Sequence, residues 1–407
     1  MTDAADTSRT GTSQEDETAV KHANDLLTEA IRSRASDVHV EPLEHGKVRI
    51  RHRIDGVLHE VRVLPEGSAE GLISQLKMMA SMDTSERRLP QDGRIALRTD
   101  DHKYDLRVSS VPTLHGERMT LRILRPETVL LGLDKMGLTP DNLATLQRVC
   151  QLPCGLIIVN GPTRSGKTTL LYSMLLEVDQ VRNLVITVED PVEYAFDRVS
   201  QIQTRPEVGL TFARALRSIL RHDPDVIMVG EIRDREVLEF SVQAAMTGHL
   251  VLTTLHANTS PEGIRRMLDI GLLPFMLNAA VKGLITQRLI RLLCPHCKQP
   301  EPLNEEALPP EARSIIRRLG NVTWYGPKGC PACSQTGYLG RTTMHEVLVM
   351  NDRIRQVVTA DGTITQLRDA AVASGMKTML EDGLAKASQG VTSVREVLRV
   401  DPMGTDQ

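Results

Sequence analysis

A strand, a glycine-bracketed loop and a helix follow one another from Leu156 onward, and this order constrains the fold of the chain more than any other feature. Four consecutive apolar residues begin at Leu156, which is typical of a strand buried on both faces of a parallel sheet. Gly161 and Gly166 then bracket four residues before Lys167 and Thr168, and apolar residues at helical spacing come next. This is the G-x-x-x-x-G-K-[ST] pattern in the context that it requires, so the sequence predicts a phosphate-binding loop.

Such a loop binds phosphate mainly through its backbone. Successive N–H groups converge at a helix N-terminus, so a triphosphate is held without many side-chain charges. We expect Lys167 to reach the β- and γ-phosphates of ATP and the Thr168 hydroxyl to bind Mg²⁺. A chance glycine-rich turn is the alternative, and the flanking strand and helix argue against it. The candidate nucleotide-binding residues are Gly161, Pro162, Thr163, Arg164, Ser165, Gly166, Lys167, Thr168 and Thr169.

Length and composition exclude several classes of protein. A chain of 407 residues is too long for one ordinary core, so two or three domains are expected. The net charge of -3 and the 2% aromatic content argue against a nucleic-acid partner. Because no apolar run reaches the length of a membrane span and no signal peptide is evident, we expect a cytosolic protein without direct membrane insertion.

The hydrophobic pattern changes several times along the chain. Residues 1–18 contain almost no apolar residues and are predicted to be a disordered tail. Residues 19–125 mix helical and alternating patterns, which predicts a small α+β domain, and a linker of residues 126–135 follows. Asp55-Gly56 between two alternating runs predicts a hairpin turn.

The next region alternates apolar strands with helices. This order predicts an α/β domain over 136–292, with a parallel sheet, helices on both faces and ligands at the carboxyl ends of the strands. A cysteine-rich module over 293–345 and a helical subdomain over 346–407 complete the prediction. The predicted strands are 156–159, 184–188, 226–229 and 250–255, and the predicted helices are 167–179, 211–222 and 234–247.

Two carboxylates stand where predicted strands end. Glu189 follows 184–188, and Glu231 follows 226–229 after one glycine. One carboxylate is needed beside Mg²⁺ and another to orient or deprotonate the attacking water. Glu231 occupies a Walker B position and is the expected Mg²⁺ ligand together with Thr168, although the sequence leaves open which glutamate positions the water.

Histidines and arginines near these strands are further candidates. His249 and His256 bracket the strand 250–255, and each is either a structural histidine or a sensor of the γ-phosphate. Arg217 and Arg221 share one face of the helix 211–222. That face is either solvated or directed at the nucleotide of a neighbouring subunit, because charge on a transferred phosphoryl group needs a cation.

Two CxxC pairs lie 32 residues apart. Each pair supplies one half of a tetrahedral tetrathiolate site, so the pattern predicts structural zinc, and redox use of one pair is the alternative. The predicted ligands are Cys294, Cys297, Cys330 and Cys333.

With these features in place, the chain closely resembles the type II secretion and type IV pilus assembly ATPases over about residues 20 to 400. The matching segments include SDVHVEP (36–42), RLPQDGR (88–94), VEDPVEY (188–194), GEIRD (230–234), TGH (247–249) and TLH (254–256). The resemblance implies a RecA-like motor domain that forms a hexameric ring, with ATP between the two domains. It also implies that Arg107 and Arg122 of the first domain close on the nucleotide. Further arginines implied at the nucleotide or the subunit interface are Arg217, Arg221, Arg233, Arg266 and Arg341.

The resemblance also implies the biological role. We expect an ATP-hydrolysing motor for pilus or pseudopilus assembly at the cytoplasmic face of an inner membrane, held there by a platform protein and cytoplasmic recruitment proteins. The alternatives are a retraction motor, a DNA-translocating ring and a nucleotide-gated scaffold with weak turnover. Arg164 replaces the family's usual glycine. Many members carry a further N-terminal domain, whereas only about 18 residues precede the first domain here, so we expect different recruitment or a truncated form.

Overall fold

The computed structural model describes residues 10–98, 103–124 and 130–401, and it divides into two compact units, 1–126 and 127–407. Within the described part of the chain, no helix combines the length and the apolar character that crossing a membrane requires. Each unit has its own buried apolar core.

The first unit is a six-stranded antiparallel sheet with two helices. Its strand order is β3-β2-β1-β6-β5-β4. Val38 and Val40 of β1 belong to the same buried apolar cluster as Leu26 and Leu72 of the two helices, whereas Asp37 alternates with them on the polar face. The elements are α1 (Thr10–Arg32), β1 (Asp37–Pro42), β2 (Val48–Ile54), β3 (Val57–Leu64), α2 (Ser68–Met79), β4 (Gln91–Arg98), β5 (Lys103–Thr113) and β6 (Gly116–Leu124).

The hairpin predicted at Asp55-Gly56 is present. Both residues have positive φ, 48° and 85°, which is the conformation that the tightest hairpin turns require. The predicted tail is partly wrong, because α1 begins at Thr10 and includes residues 10–18. The segment lacks an apolar face, but it contains glutamate and glutamine, which favour helix, and a polar turn can extend an amphipathic helix. Residues 1–9 of that tail lie outside the described residues.

The second unit is built on a seven-stranded sheet of order β15-β12-β7-β11-β10-β8-β9. Its elements in chain order are α3 (Pro140–Cys150), β7 (Gly155–Asn160), α4 (Lys167–Leu176), β8 (Val185–Glu189), β9 (Ser200–Gln203), α5 (Phe212–Ile219), β10 (Val226–Val229), α6 (Arg235–Met246), β11 (Leu250–Leu255), α7 (Ser260–Asp269), α8 (Pro274–Ala280), β12 (Val281–Leu293), β13 (Gln299–Pro300), α9 (Pro310–Leu319), β14 (Tyr325–Gly326), β15 (Tyr338–Val349), α10 (Asp352–Thr359), α11 (Ile364–Val372), α12 (Met379–Ser388) and α13 (Val394–Val400). All four strands predicted from the apolar runs are present.

Helices cover both faces of this sheet, as the fully apolar strands require. Leu156 and Ile158 of β7 belong to one buried cluster with residues of α5, α6 and α7. The intervening Ile157 and Val159 belong to another cluster with α3 and α4. Alternate residues therefore enter two cores, which confirms the predicted α/β architecture.

The sheet is larger than the sequence predicts. β12 pairs with β7 in parallel and with β15 in antiparallel orientation, so an antiparallel strand forms one edge. Because β15 returns to this sheet, residues 338–345 belong to the main fold, and the predicted boundaries of the 293–345 module are wrong there. The pairing joins segments about 60 residues apart, which local patterns do not reveal. The helices α10 to α13 follow, within the residues of the predicted helical subdomain.

Candidate active site

The phosphate-binding loop connects β7 to α4 and uses backbone conformations that suit glycine. Gly161 has a φ of 148° and Gly166 a φ of 86°. A Cβ on Gly161 would lie 2.4 Å from Ser165 Oγ, so this position has no room for a side chain. Arg164 also has a positive φ, of 66°. That conformation costs an ordinary residue about 1–2 kcal/mol.

The N-terminus of α4 differs from most other helix starts in this unit. Side chains of Thr139, Thr211 and Asp234 accept N–H groups at the starts of α3, α5 and α6. Gly166 occupies the corresponding position of α4 and has no side chain to do so. The first N–H groups of α4 are therefore available to an anion, which the helix dipole also favours.

Lys167 lies against the same loop. Its Nζ donates to the carbonyl oxygens of Gly161 at 2.8 Å and Pro162 at 2.9 Å. Burial lowers the pKa of Lys167 to about 8, against the opposing effect of Glu231. The ammonium is therefore mostly protonated at neutral pH and supplies a partly desolvated positive charge.

A cavity of about 450 Å³ opens beside the loop, at the carboxyl ends of the parallel strands. This volume falls within the range of small-molecule sites. Both predicted strand-end carboxylates and one predicted histidine line it. The lining residues are Thr163, Arg164, Ser165, Gly166, Lys167, Thr168, Thr169, Leu171, Glu189, Asp190, Pro191, Glu193, Phe212, Met228, Gly230, Glu231, Thr254 and His256.

Glu231 forms an ion-paired cluster at one wall of the cavity. Arg233 Nη2 lies 2.5 Å from Glu231 Oε1 and 3.0 Å from Asp190 Oδ2. His256 Nε2 lies 3.5 Å from Glu231 Oε2. The Glu231 side chain keeps about a quarter of its surface exposed, so it remains accessible to a ligand.

Glu189, in contrast, is buried and held by three hydrogen bonds. Its carboxylate accepts from Thr187 Oγ1 at 2.6 Å, from Gln201 Nε2 at 3.0 Å and from the hydroxyl of Tyr172. Burial and then the Glu189 carboxylate raise the pKa of Tyr172, which keeps that phenol protonated as a donor. An ionised carboxylate offers about four acceptor positions, so one acceptor position of Glu189 remains.

Comparison with known proteins decides the family. Residues 12–399 match the family described as type II/IV secretion system protein. The chain belongs to this family. It is 44% identical to the type II secretion system protein HxcR of Pseudomonas aeruginosa over 98% of this chain and 80% of that protein. It is 43% identical to the type IV pilus assembly ATPase PilB of Myxococcus xanthus, over 94% of this chain and 68% of PilB. The predicted resemblance and the predicted ATPase activity are thereby confirmed.

Solved structures agree with the fold. The Legionella pneumophila ATPase DotB superposes with a TM-score of 0.66 at 23% identity, over 93% of this chain and 94% of that one. The pilus retraction motor PilT, solved with bound ADP, gives a TM-score of 0.60 at 27% identity, over 93% of this chain and 96% of that one.

In this secretion ATPase the two predicted histidines lie at opposite ends of β11. His256 follows the strand and lines the cavity, whereas His249 precedes it, about 20 Å away for a strand of this length. His249 Nδ1 instead donates to the carbonyl oxygen of Ala244 at 2.9 Å, near the C-terminus of α6. The structure therefore does not bring His249 to the cavity of its own chain.

The predicted interface arginines are divided among several elements. Arg233 contacts the cavity carboxylates, as described above. Arg217 of α5 pairs with Glu236 at 2.6 Å, and Arg221, just beyond the end of α5, donates to the carbonyl oxygen of Arg217 at 2.7 Å. Arg266 is exposed on α7 and Arg341 is exposed on β15. Roles for these four at a subunit interface stay predictions.

Arg107 and Arg122 lie in the first unit, directly opposite each other on β5 and β6. Arg122 Nε lies 3.1 Å from Asp37 Oδ1, and its side chain is 47% exposed. Asp37 is buried and thus fixes one side of that guanidinium. Whether these two arginines act on the nucleotide stays a prediction.

The four predicted zinc ligands come together in one cluster. Sulfur atoms of Cys294 and Cys330 lie 3.8 Å apart, as do those of Cys297 and Cys333. A tetrahedral zinc ion with bonds of about 2.3 Å separates its ligands by about 3.8 Å, so the cluster fits zinc. Burial opposes ionisation of Cys333, but N–H groups of Cys330 and Gly337 lower its pKa to about 6. A thiolate is the form that binds metal.

Besides Thr187, which donates to Glu189, sequence reasoning missed three further residues that support the site. Tyr172 and Gln201 hold Glu189, and Gln287 of β12 contacts the phosphate-binding loop. The sequence signal for Gln287 is its place between apolar residues of β12, a strand that the sequence analysis does not predict. None of the three belongs to a motif that predicts chemistry.

Proposed function

We propose that this chain binds ATP in the cavity at the carboxyl ends of β7, β8, β10 and β11, and hydrolyses it there. One observation carries the proposal: the uncapped N-terminus of α4, the Lys167 ammonium and two strand-end carboxylates converge on one cavity of about 450 Å³. The first two groups suit phosphates, and the carboxylates suit Mg²⁺ and water. Family membership supports the same activity.

Mg²⁺ fits the oxygen donors that line this cavity. Thr168 offers a hydroxyl, and Glu231 and Asp190 offer carboxylates, which are the ligands that Mg²⁺ prefers. We assign Thr168 and Glu231 as the residues that hold it. When bound, Mg²⁺ neutralises charge on the β- and γ-phosphates. Arg233 balances the remaining negative charge of Glu231 and Asp190.

Glu189 is proposed to orient the attacking water and accept its proton. Its three protein donors fix the carboxylate in place, and its remaining acceptor position is free for a water hydrogen. Lys167 stabilises the charge on the transferred phosphoryl group. His256, which lies beside Glu231, is proposed to contact the γ-phosphate.

We further propose that six copies form a ring. The exposed arginines of α5, α7 and β15 are suited to a neighbouring nucleotide, because a phosphoryl group needs cations that one chain's cavity supplies only in part. Arg107 and Arg122 are proposed to close on the nucleotide from the first unit. His249 has a nucleotide role in this scheme only at a neighbouring copy.

Zinc is proposed to occupy the four-cysteine cluster. An all-thiolate site has no open coordination position, so its role is structural. It would join residues 294–297 to residues 330–333 and stabilise the segment between β12 and β15.

The motor is proposed to power pilus or pseudopilus assembly at the cytoplasmic face of an inner membrane. Its partners would be a platform protein of that membrane and cytoplasmic recruitment proteins. The relatives named for type II secretion and for pilus assembly support this class of machine.

Phosphate release by purified protein, measured together with molecular mass, tests the proposal. The wild-type chain should hydrolyse ATP, with activity that rises as hexamers form. Lys167→Ala should abolish both nucleotide binding and hydrolysis. Binding without turnover by wild-type hexamers would instead support a nucleotide-gated scaffold.

A further inference from the structure

Gln287 of β12 packs directly behind the phosphate-binding loop and is fully buried. Its Nε2 donates to the carbonyl oxygen of Ser165 at 2.7 Å. A Cβ on Gly161 would lie 2.6 Å from the Gln287 carbonyl oxygen, and one on Gly166 would lie 2.6 Å from Gln287 Nε2. The loop therefore approaches the Gln287 backbone at Gly161 and the Gln287 side chain at Ser165 and Gly166.

The orientation of the Gln287 amide follows from its partners. Ser165 offers a carbonyl, which only accepts, so Gln287 must direct its NH₂ group there and its oxygen the other way. That oxygen lies 3.0 Å from Nε2 of His345, which must then carry a proton. Burial and the nearby Lys386 hold the pKa of His345 well below its ordinary value, so the ring is neutral. Its single proton is therefore on Nε2.

His345 is itself anchored to the C-terminal helices. Its backbone N–H donates to Asp382 Oδ2 at 2.9 Å, and the same oxygen is 2.5 Å from Lys386 Nζ. Lys386 also donates to the carbonyl oxygen of Thr343 at 2.6 Å. All of these polar groups are buried. A continuous hydrogen-bonded chain thus runs from the loop through β12 and β15 to α12.

We propose that Gln287 and His345 are positioning residues for ATP hydrolysis, which hold the phosphate-binding loop in its nucleotide-binding conformation from behind. This inference rests on the proposed binding of ATP by that loop. Neither residue touches the cavity, so neither is a catalytic residue.

The loop needs such support because its conformation is not locally favoured. Arg164, directly before Ser165, adopts a left-handed conformation that ordinary residues avoid. The Gln287 amide donates to the carbonyl oxygen of the next residue, Ser165, and so restrains the loop there. Loss of that restraint would let the loop relax and turn its N–H groups away from the phosphates. Because ground state and transition state use the same N–H groups, KM should rise while kcat stays nearly constant.

Two matched pairs of full-length variants test the inference. Gln287→Met keeps the length of the side chain and removes the amide. Thr286→Val is its control, since Thr286 is also buried on β12 but bonds Ser260, at 2.8 Å, and not the loop. His345→Gln retains an N–H donor, whereas His345→Leu removes it. The readouts are KM and kcat for ATP, the affinity for a nonhydrolysable ATP analogue and the thermal midpoint.

Gln287→Met and His345→Leu should each raise KM and weaken analogue binding about tenfold, the equivalent of one hydrogen bond. Thr286→Val and His345→Gln should stay within about threefold of wild type. A fall in kcat with unchanged KM would show that the contact acts only in the transition state and would overturn the inference, as would equal effects of His345→Gln and His345→Leu. If wild type itself bound no analogue, the proposed nucleotide site would fail instead.

Discussion

Arg233 lies 2.5 Å from the carboxylate of Glu231, at the wall of the proposed nucleotide cavity. The same guanidinium lies 3.0 Å from Asp190 and 5.3 Å from the ring of Phe212. One cation therefore stands between the two carboxylates of this wall. Arg233 therefore belongs to the cavity of its own chain, independently of its predicted role at a subunit interface.

Replacing Arg233 should weaken nucleotide binding. Arg233→Gln leaves Glu231 and Asp190 without their cation, and the uncompensated carboxylates repel the phosphates. We expect KM for MgATP to rise about fivefold, and the effect to shrink at high salt because the site is partly exposed. Steady-state kinetics at two salt concentrations measure this. Arg235→Gln, which breaks only the surface pair with Glu239, should leave KM unchanged, and a similar rise there would contradict the assignment.

At position 164 the backbone conformation should favour glycine over a residue that has a side chain. Its φ of 66° suits glycine, so Arg164→Gly should unfold at higher denaturant concentration than Arg164→Ala. Both variants remove the same side-chain interactions, and their difference isolates the backbone. We expect about 1 kcal/mol, measured by chemical denaturation. Equal stability of the two variants would argue that the loop does not hold this conformation.

Removing metal should destabilise the cysteine cluster before the nucleotide domain. We expect one zinc per chain, and chelation should speed hydrogen exchange between β12 and β15 before it affects β7. Cys294→Ser should lose zinc, because a tetrahedral site needs all four thiolates. Cys154→Ser, which changes a half-buried cysteine outside the cluster, should retain it. Full zinc content in Cys294→Ser would refute the ligand set.

The first unit should lose stability as pH falls through the range of His52. Burial first, and then the Arg62 charge, lower the pKa of His52 to about 4 from an unfolded value of 6.5. The unfolded chain therefore binds a proton that the folded chain does not, and stability present above pH 6.5 is lost toward pH 4, by up to about 3 kcal/mol.

Unfolding curves between pH 4 and pH 7 test this loss. In His52→Gln the free energy of unfolding should fall less steeply with decreasing pH than it does in wild type. The exposed His115 of the β5–β6 turn is the control, and His115→Gln should keep the wild-type slope. A slope that His52→Gln leaves unchanged would show that other groups dominate the acid sensitivity.

The sequence predicts those parts of the site that local patterns encode. Gly161 and Lys167 appear with the spacing of their motif, and Glu189 and Glu231 follow apolar strands whose ends must meet at one edge of a parallel sheet. The four-cysteine cluster also follows from spacing alone. Each of these predictions depends on a local pattern, which is the spacing of a loop motif, the end of an apolar strand or the spacing of two CxxC pairs.

Gln287 escapes such patterns because its partner Ser165 lies 122 residues away. Its contact depends on the register of β12 against β7, which the pairing of long-range strands determines. His249 lies away from the cavity of its own chain, because a residue before a strand and one after it lie at opposite ends of that strand. The left-handed backbone at Arg164 is likewise invisible in the sequence, because arginine itself does not favour it.

Hydrolysis and binding of ATP by Glu231→Gln test the proposed active site most directly, when both are measured on one preparation with Glu239→Gln as the control. Glu231→Gln removes the charge of a proposed Mg²⁺ ligand, so it should bind a nonhydrolysable analogue with Mg²⁺ more weakly and release phosphate at least about 100-fold more slowly. Glu239→Gln, changed at the surface of α6, should do both normally. Full turnover by Glu231→Gln would contradict the proposed chemistry of this cavity.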